Sequence, residues 1–134
     1  MPMVKLAPKV MEFLEGTHFG KLATVMKDGS PHVTPIWYMV DGGKVVINTT
    51  TTRVKYFNIV RDPRVSFLVD DGYPYVILFG KARVAPERDA KKDIEALAIR
   101  YTGETRGRKA ARSTFWKEPR ASIEIVPERL VVGL

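Results

Sequence analysis

Cysteine is absent from this sequence, and histidine is scarce, with only His18 and His32 present. The lack of cysteine excludes disulfide bonds and thiolate metal sites, and with them the small secreted domains that disulfides hold together. Two histidines cannot by themselves complete a zinc site. We therefore expect no metal centre and no disulfide scaffold.

Long apolar runs are also absent. The N-terminal segment has no apolar core of signal-peptide length, and no window approaches the roughly 20 apolar residues of a membrane span. Acidic residues are outnumbered, because 22 Lys and Arg stand against 15 Asp and Glu, a formal net charge of +7. We expect a cytoplasmic protein without a membrane partner. Its excess positive charge favours an anionic ligand, which could be nucleic acid, a phosphorylated cofactor or a polyacid.

What the sequence does contain predicts a single domain over residues 1–134, mainly β within the α+β class. Asp-Gly turns at residues 28–29, 41–42 and 71–72 separate β-branched runs, which is typical of hairpins. We predict six to seven strands in an antiparallel barrel with a few flanking helices. The predicted strands are residues 19–26, 31–40, 44–49, 64–70, 75–85, 120–126 and 129–134. The predicted helices are residues 5–15, 53–62 and 87–101, with residues 104–119 left open between helix and loop.

A corner between a predicted strand and a predicted helix carries four threonines, Thr49 to Thr52, followed by Arg53 and Lys55. Thr51 or Thr52 could act as the N-cap of the helix, which would explain one hydroxyl. Cations in the first turn oppose the helix dipole unless an anion is bound there. Helix N-termini are ready anion sites, so the corner predicts either ordinary capping or a phosphate site.

The stretch HVTPIWYMV, residues 32–40, places a proline inside a predicted strand. Proline lacks a ladder donor and is usually confined to an edge strand or a bulge, so Pro35 indicates unpaired neighbouring backbone. Ile36, Trp37 and Tyr38 add apolar and aromatic surface beside it. This combination suits a flat heteroaromatic ring, although core packing is the preferred explanation of Trp37 or Tyr38 when this stretch is taken alone.

The order of these features from Gly20 to Asp70 resembles the pyridoxamine 5'-phosphate oxidase-like split β-barrel flavoproteins, especially their small flavin- or deazaflavin-dependent members. The most specific part is a strand ending in Asn48 and Thr49, a short loop, TRVK, and then RDPRVSFLV. The resemblance implies cofactor-binding residues along both stretches. They are Thr34, Pro35, Ile36 and Trp37 around the ring, and Asn48, Thr49, Thr52, Arg53 and Lys55 toward the phosphate.

The resemblance also implies a homodimer with the cofactor at the subunit interface, and Trp116 is the candidate for a wall contributed by the partner. The sequence departs from true pyridoxamine phosphate oxidases because it ends without their Arg-x-His substrate segment. We therefore do not expect vitamin B6 oxidation. No residue stands out as a general acid or base, so the catalytic residues are unknown and the cofactor would carry the chemistry.

Three functions follow from these observations. The first is an oxidoreductase that uses FMN, or alternatively the deazaflavin coenzyme F-420, on a small-molecule substrate. The second is a protein that binds flavin or haem without turnover. The third is a nucleic-acid-binding barrel, suggested by the basic residues 106–112 beside Phe115 and Trp116. Such charge runs usually form a solvated helix face, so nucleic acid is disfavoured. We predict FMN first, because the threonine corner supplies its phosphate site without help from the basic cluster.

Overall fold

The computed structural model describes residues 2–134. Within these residues, seven strands and four α-helices follow one another. In order they are α1 (Pro8–Glu15), β1 (Gly20–Val25), β2 (Pro31–Ile36), β3 (Met39–Asp41), β4 (Lys44–Thr50), α2 (Val54–Arg61), β5 (Arg64–Asp70), β6 (Tyr75–Val84), α3 (Ala90–Thr102), α4 (Glu104–Ser113) and β7 (Arg120–Gly133). A short 3-10 helix, Phe115–Lys117, connects α4 to β7. The prediction of a mainly β protein with flanking helices is confirmed.

The strands form one antiparallel sheet in the order β2-β1-β5-β6-β7-β4-β3. Its two edge strands, β2 and β3, are joined by only two residues, Trp37 and Tyr38. Because opposite edges of the sheet meet at this short link, the sheet has to curl on itself. The predicted split β-barrel is confirmed, and Trp37 and Tyr38 lie at the point where it splits.

Two strand predictions are wrong. Residues 31–40 do not form one strand, because β2 pairs with β1 while β3 pairs with β4. The break falls where Tyr38 turns into the core, with no exposed surface. The two predicted C-terminal strands are a single strand, β7, whose Pro127 lies opposite Gly80 at a register shift. A bulge there allows a strand to continue past a proline that cannot donate to the ladder.

The start of α3 differs from the prediction, and α4 occupies part of the segment that the prediction left open. The helix α3 begins at Ala90 rather than Glu87, because the Asp89 carboxylate caps it by accepting from the backbone N–H groups of Lys91 and Lys92. The open segment 104–119 is α4 followed by the 3-10 helix. The helix α4 packs against α3 so closely that a Cβ on Gly107 would lie 2.5 Å from the backbone nitrogen of Ile99.

The core fills the inside of the curled sheet and is closed at one end by α1. Tyr38 and Phe67 are its largest members, packed edge to face with ring centroids 5.4 Å apart. The Tyr38 hydroxyl donates to the carbonyl of Leu14 in α1 at 2.7 Å, and burial raises the pKa of Tyr38 to about 12. Tyr38 therefore remains a hydrogen-bond donor at physiological pH. None of the helices in residues 2–134 is both long and apolar enough to cross a membrane.

Candidate functional site

The threonine corner lies between the end of β4 at Thr50 and the start of α2 at Val54. The prediction that Thr51 or Thr52 caps α2 is wrong. Arg53 occupies the N-cap position in an extended conformation, and no side chain in the described part of the chain caps the helix. The hydroxyl of Thr52 lies 3.2 Å from that of Thr50, so the two threonines pair with each other. The start of α2 is therefore left open.

The open helix end combines unpaired donors with two cations. Within residues 2–134, the amides of Val54 and Lys55 have no acceptor, and neither Arg53 nor Lys55 forms an ion pair or side-chain hydrogen bond. Lys55 is half-buried, and burial, followed by the charge of Arg53, holds its pKa below the usual value. Two neighbouring cations without an acidic partner would both be stabilised by an anion at this helix end.

A cleft of about 290 Å³ opens beside the break between β2 and β3. It is lined by Phe19, Pro35, Ile36, Trp37, Asn48, Ile94, Leu97, Phe115 and Arg120. Seven of these nine side chains are apolar or aromatic, so the cleft suits a flat, largely apolar group. Four of the sequence-predicted site residues are brought together here.

Packed aromatic rings form one wall of the cleft. The Trp37 ring stacks on Tyr101 with centroids 5.3 Å apart and planes 6° apart, and Phe19 stacks on Tyr101 at 5.5 Å. Phe115 meets the edge of Trp37 at 6.1 Å. The Tyr101 hydroxyl donates to the carbonyl of His18 at 2.5 Å and lies 3.2 Å from the backbone nitrogen of Tyr38. These bonds fix the ring on which the wall stacks.

Asn48 brings the polar part of the cleft into a hydrogen-bond network. Its side-chain nitrogen donates to the carbonyl of Ala90 at 3.0 Å and lies 3.4 Å from the Ser122 hydroxyl. Its side-chain oxygen accepts from Arg120 at 3.2 Å. Both polar atoms of Asn48 are thus engaged by the protein, which favours a positioning role over direct hydrogen bonding to a ligand.

The remaining predicted site residues lie outside the cleft lining. Thr34 faces the interior from β2, and its buried hydroxyl has no hydrogen-bond partner within residues 2–134. Thr49 is buried beside the corner, where its hydroxyl donates to the carbonyl of Thr50 at 3.4 Å. Trp116 donates from its indole nitrogen to the carbonyl of Lys91 at 2.9 Å, while its neighbour Phe115 lines the cleft. Whether Trp116 reaches a partner subunit stays a prediction.

Sequence reasoning did not identify the other five cleft residues, which are Phe19, Ile94, Leu97, Phe115 and Arg120. They lie just before β1, on α3, and at the starts of the 3-10 helix and of β7, so the fold brings them together from separate parts of the chain. The aromatic pair of residues 115 and 116 was a usable signal, but a short connecting segment has no periodicity that tells which ring faces inward.

The strand β4 connects the cleft to the corner. Asn48 lines the cleft, and Arg53 follows five residues later, so their Cα atoms are at most about 18 Å apart. The amide of Thr51 also donates to the carbonyl of Pro119 at 2.9 Å, which ties the corner to the segment just before Arg120. A single elongated ligand with a flat end and an anionic end could contact both.

The sequence and the fold both have relatives among known proteins. A 67-residue segment is 33% identical to a 5a,11a-dehydrotetracycline/5a,11a-dehydrooxytetracycline reductase of Streptomyces rimosus, and covers 47% of each chain. The match therefore spans about half the length of that reductase. A conserved hypothetical protein of Mycobacterium tuberculosis, Rv2991, is similar in structure with a TM-score of 0.76 and 29% identity, over 96% of this chain and 84% of the other.

A structure named F420 reductase is similar with a TM-score of 0.73 and 26% identity, over 94% of this chain and 98% of the other. HutZ, a haem storage protein of Vibrio cholerae, has a TM-score of 0.69 at 19% identity over 96% and 95% of the two chains, which shows a common fold only. Residues 6–131 match the family described as pyridoxamine 5'-phosphate oxidase. Since that match covers nearly the whole sequence, the chain belongs to the pyridoxamine 5'-phosphate oxidase family.

Proposed function

We propose that this protein is an oxidoreductase that binds FMN, with the phosphate at the open end of α2 and the ring in the adjacent cleft. The observation that carries the proposal is the pair Arg53 and Lys55, which has no anionic partner in residues 2–134 and stands beside two free helix amides. A phosphate would accept from these donors through charge-assisted hydrogen bonds. The aromatic wall of the cleft would receive the flat ring.

Family membership and the neighbouring reductases support redox chemistry over simple binding. A flavin supplies hydride transfer when bound, so the protein needs no nucleophile of its own. The chain's part would be to hold the phosphate with Arg53 and Lys55 and to orient the ring against Trp37. The cleft side chains Ile94 and Leu97, both buried, would exclude water from one side of the ring. The substrate class we propose is a small molecule with a carbonyl or an activated double bond.

We also propose that the protein works as a homodimer. The cleft, at about 290 Å³, lies just below the range of about 300–1,000 Å³ that ligand sites have, so one chain covers a ring system incompletely. Next to the corner, α2 exposes Val54, Phe57 and Val60, which are 46%, 54% and 61% accessible. These side chains share the helix that carries the phosphate donors. A second copy that covered them would also enclose the cofactor.

The deazaflavin coenzyme F-420 is the second candidate, favoured by the similarity to the F420 reductase structure. Its polyglutamate tail would need a basic surface, and α4 offers one. In α4, however, Arg108 and Arg112 approach Glu95 at 3.8 and 3.9 Å, which leaves Arg106 and Lys109 as its exposed cations without an acidic partner in residues 2–134. The corner accounts for the phosphate of FMN without any basic surface on α4. We therefore place FMN first.

Native mass spectrometry of the purified protein, titrated separately with FMN and with coenzyme F-420, tests these proposals together. We expect a complex of two chains with two FMN molecules at micromolar cofactor concentration. A stable complex with F-420 and none with FMN would reverse the order of the two cofactors. Binding of neither cofactor would contradict the proposed function, and a loaded single chain would contradict the dimer.

A further inference from the structure

Arg120 is a mostly buried cation in the wall of the cleft, with 11% of its side chain exposed. Its guanidinium lies 4.9 Å from the centroid of the Phe115 ring, which also lines the cleft. Three of its five N–H groups have protein acceptors. They donate to the carbonyl of Phe115 at 3.0 Å, to Asn48 at 3.2 Å and to the carboxylate of Glu118 at 2.9 Å.

This arrangement leaves one N–H on each terminal nitrogen of Arg120 without an acceptor in the described part of the chain. The apolar side chains around Arg120 provide no oxygen for these donors. An oxygen acceptor on a ligand in the cleft would give these donors a charge-assisted hydrogen bond. The cleft therefore favours a ring with oxygen atoms on its edge over a pure hydrocarbon.

A chain of hydrogen bonds that runs from Asp93 through Ser122 and Asn48 holds Arg120 in position. The buried Asp93 carboxylate accepts from the Ser122 hydroxyl at 2.6 Å, and Arg88 donates to both oxygens of that carboxylate, at 2.8 and 3.2 Å. Ser122 in turn lies 3.4 Å from the side-chain nitrogen of Asn48. Because the Asn48 nitrogen is occupied, its oxygen is turned toward Arg120. The orientation of the guanidinium thus depends on Asn48 and, through Asn48, on Ser122 and Asp93, which do not line the cleft.

We infer that Arg120 binds the carbonyl edge of the ring that occupies the cleft, and that Ser122 and Asp93 are positioning residues for this contact. The inference rests on the proposed flavin function. The corner, which already holds Arg53 and Lys55, accounts for the phosphate, so Arg120 is free to act on the ring. A cation at the carbonyl edge favours the reduced ring, which carries more negative charge there, over the oxidised one.

The test compares Arg120→Lys, Arg120→Gln and Ser122→Ala with the parent protein by FMN titration, the visible spectrum and the midpoint potential of the bound flavin, without substrate. For Arg120→Gln we compare the loss of affinity for reduced FMN with the loss for oxidised FMN, both relative to the parent. We expect the loss to be about tenfold greater for reduced FMN. That fold-change lowers the two-electron midpoint potential by about 30 mV. Arg120→Lys retains the positive charge but not the planar guanidinium, so the midpoint potential of the bound flavin should fall less. Ser122→Ala should lower this potential, as Arg120→Gln does.

Lys27→Gln, at the exposed turn between β1 and β2, controls for the loss of one positive charge and should leave the potential unchanged. Thermal unfolding of each apo variant identifies any that fails to fold, and Arg120→Lys and Ser122→Ala then carry the test. Parent-like potentials and spectra in folded Arg120 and Ser122 variants that still bind FMN would overturn the inference. Failure of the parent to bind any flavin would instead overturn the proposed function.

Discussion

Arg53 and Lys55 are the residues on which the proposed phosphate site depends. We expect Arg53→Ala and Lys55→Ala each to weaken FMN binding by about 1.5 to 3 kcal/mol, the usual contribution of a hydrogen bond to a charged group. Isothermal titration calorimetry measures this directly, with Lys27→Ala as the control for net charge. If both corner variants bound FMN with the affinity of the parent, the corner would not be a phosphate site but an ordinary connection between a strand and a helix.

The same two variants should leave the apo protein at least as stable as the parent. The folded state holds the pKa of Lys55 below its usual value, so it binds fewer protons there than the unfolded chain. The charge on Lys55 therefore opposes folding, and its opposition fades as the pH rises toward the usual value of 10.5. Replacing either cation also removes a positive charge from the positive end of the α2 dipole. Thermal unfolding without cofactor checks the sign.

Single residues also show how far the sequence could predict the site. Pro35 marked an edge strand, and β2 is an edge of the sheet, because a residue without an N–H carries its own positional constraint. Arg120 carries no comparable local signal. Its place in the cleft depends on a stacking contact with Phe115 and on a hydrogen bond to Asn48, which is 72 positions away. Contacts of that range depend on the assembled fold.

At the scale of elements, the prediction was accurate where turns are local. The hairpins around the Asp-Gly turns formed as expected, since the turn itself sets their pairing. The break at Trp37 and Tyr38 could not be predicted from periodicity, because Tyr38 turns inward to donate to Leu14 in α1. The continuity of β7 past Pro127 likewise required a bulge opposite Gly80, on another strand.

The packing of α4 on α3 gives a prediction at the same scale. Alanine favours helices over glycine by about 1 kcal/mol, so Gly107→Ala would stabilise an isolated α4. In the folded protein the added methyl would lie 2.5 Å from the backbone of Ile99, which cannot move aside. We expect net destabilisation of about 1 to 3 kcal/mol in denaturant unfolding. The control is Thr105→Ala, at an exposed position on the same helix, which should leave the stability unchanged or raise it. If Gly107→Ala raised the stability as much as Thr105→Ala, the two helices would not be in contact at Gly107.

At the scale of the whole molecule, the curl of the sheet creates the site. Because β2 and β3 lie at opposite edges and are joined by two residues, the sheet closes imperfectly beside them and leaves the cleft. The strand β4 leads from the cleft to the corner, where an anionic group would contact Arg53 and Lys55. The net charge of +7 adds a long-range attraction for such a ligand. The ligand expected from this geometry has a flat ring at one end and a phosphate at the other.

The central claim is that the corner recognises the phosphate of a flavin. The most direct measurement is the affinity of the apo protein for FMN and for riboflavin, which has the same ring and no phosphate. Two charge-assisted contacts of at least about 1.5 kcal/mol each predict that FMN binds about a hundredfold or more tightly than riboflavin. Equal affinity for FMN and riboflavin would contradict the claim.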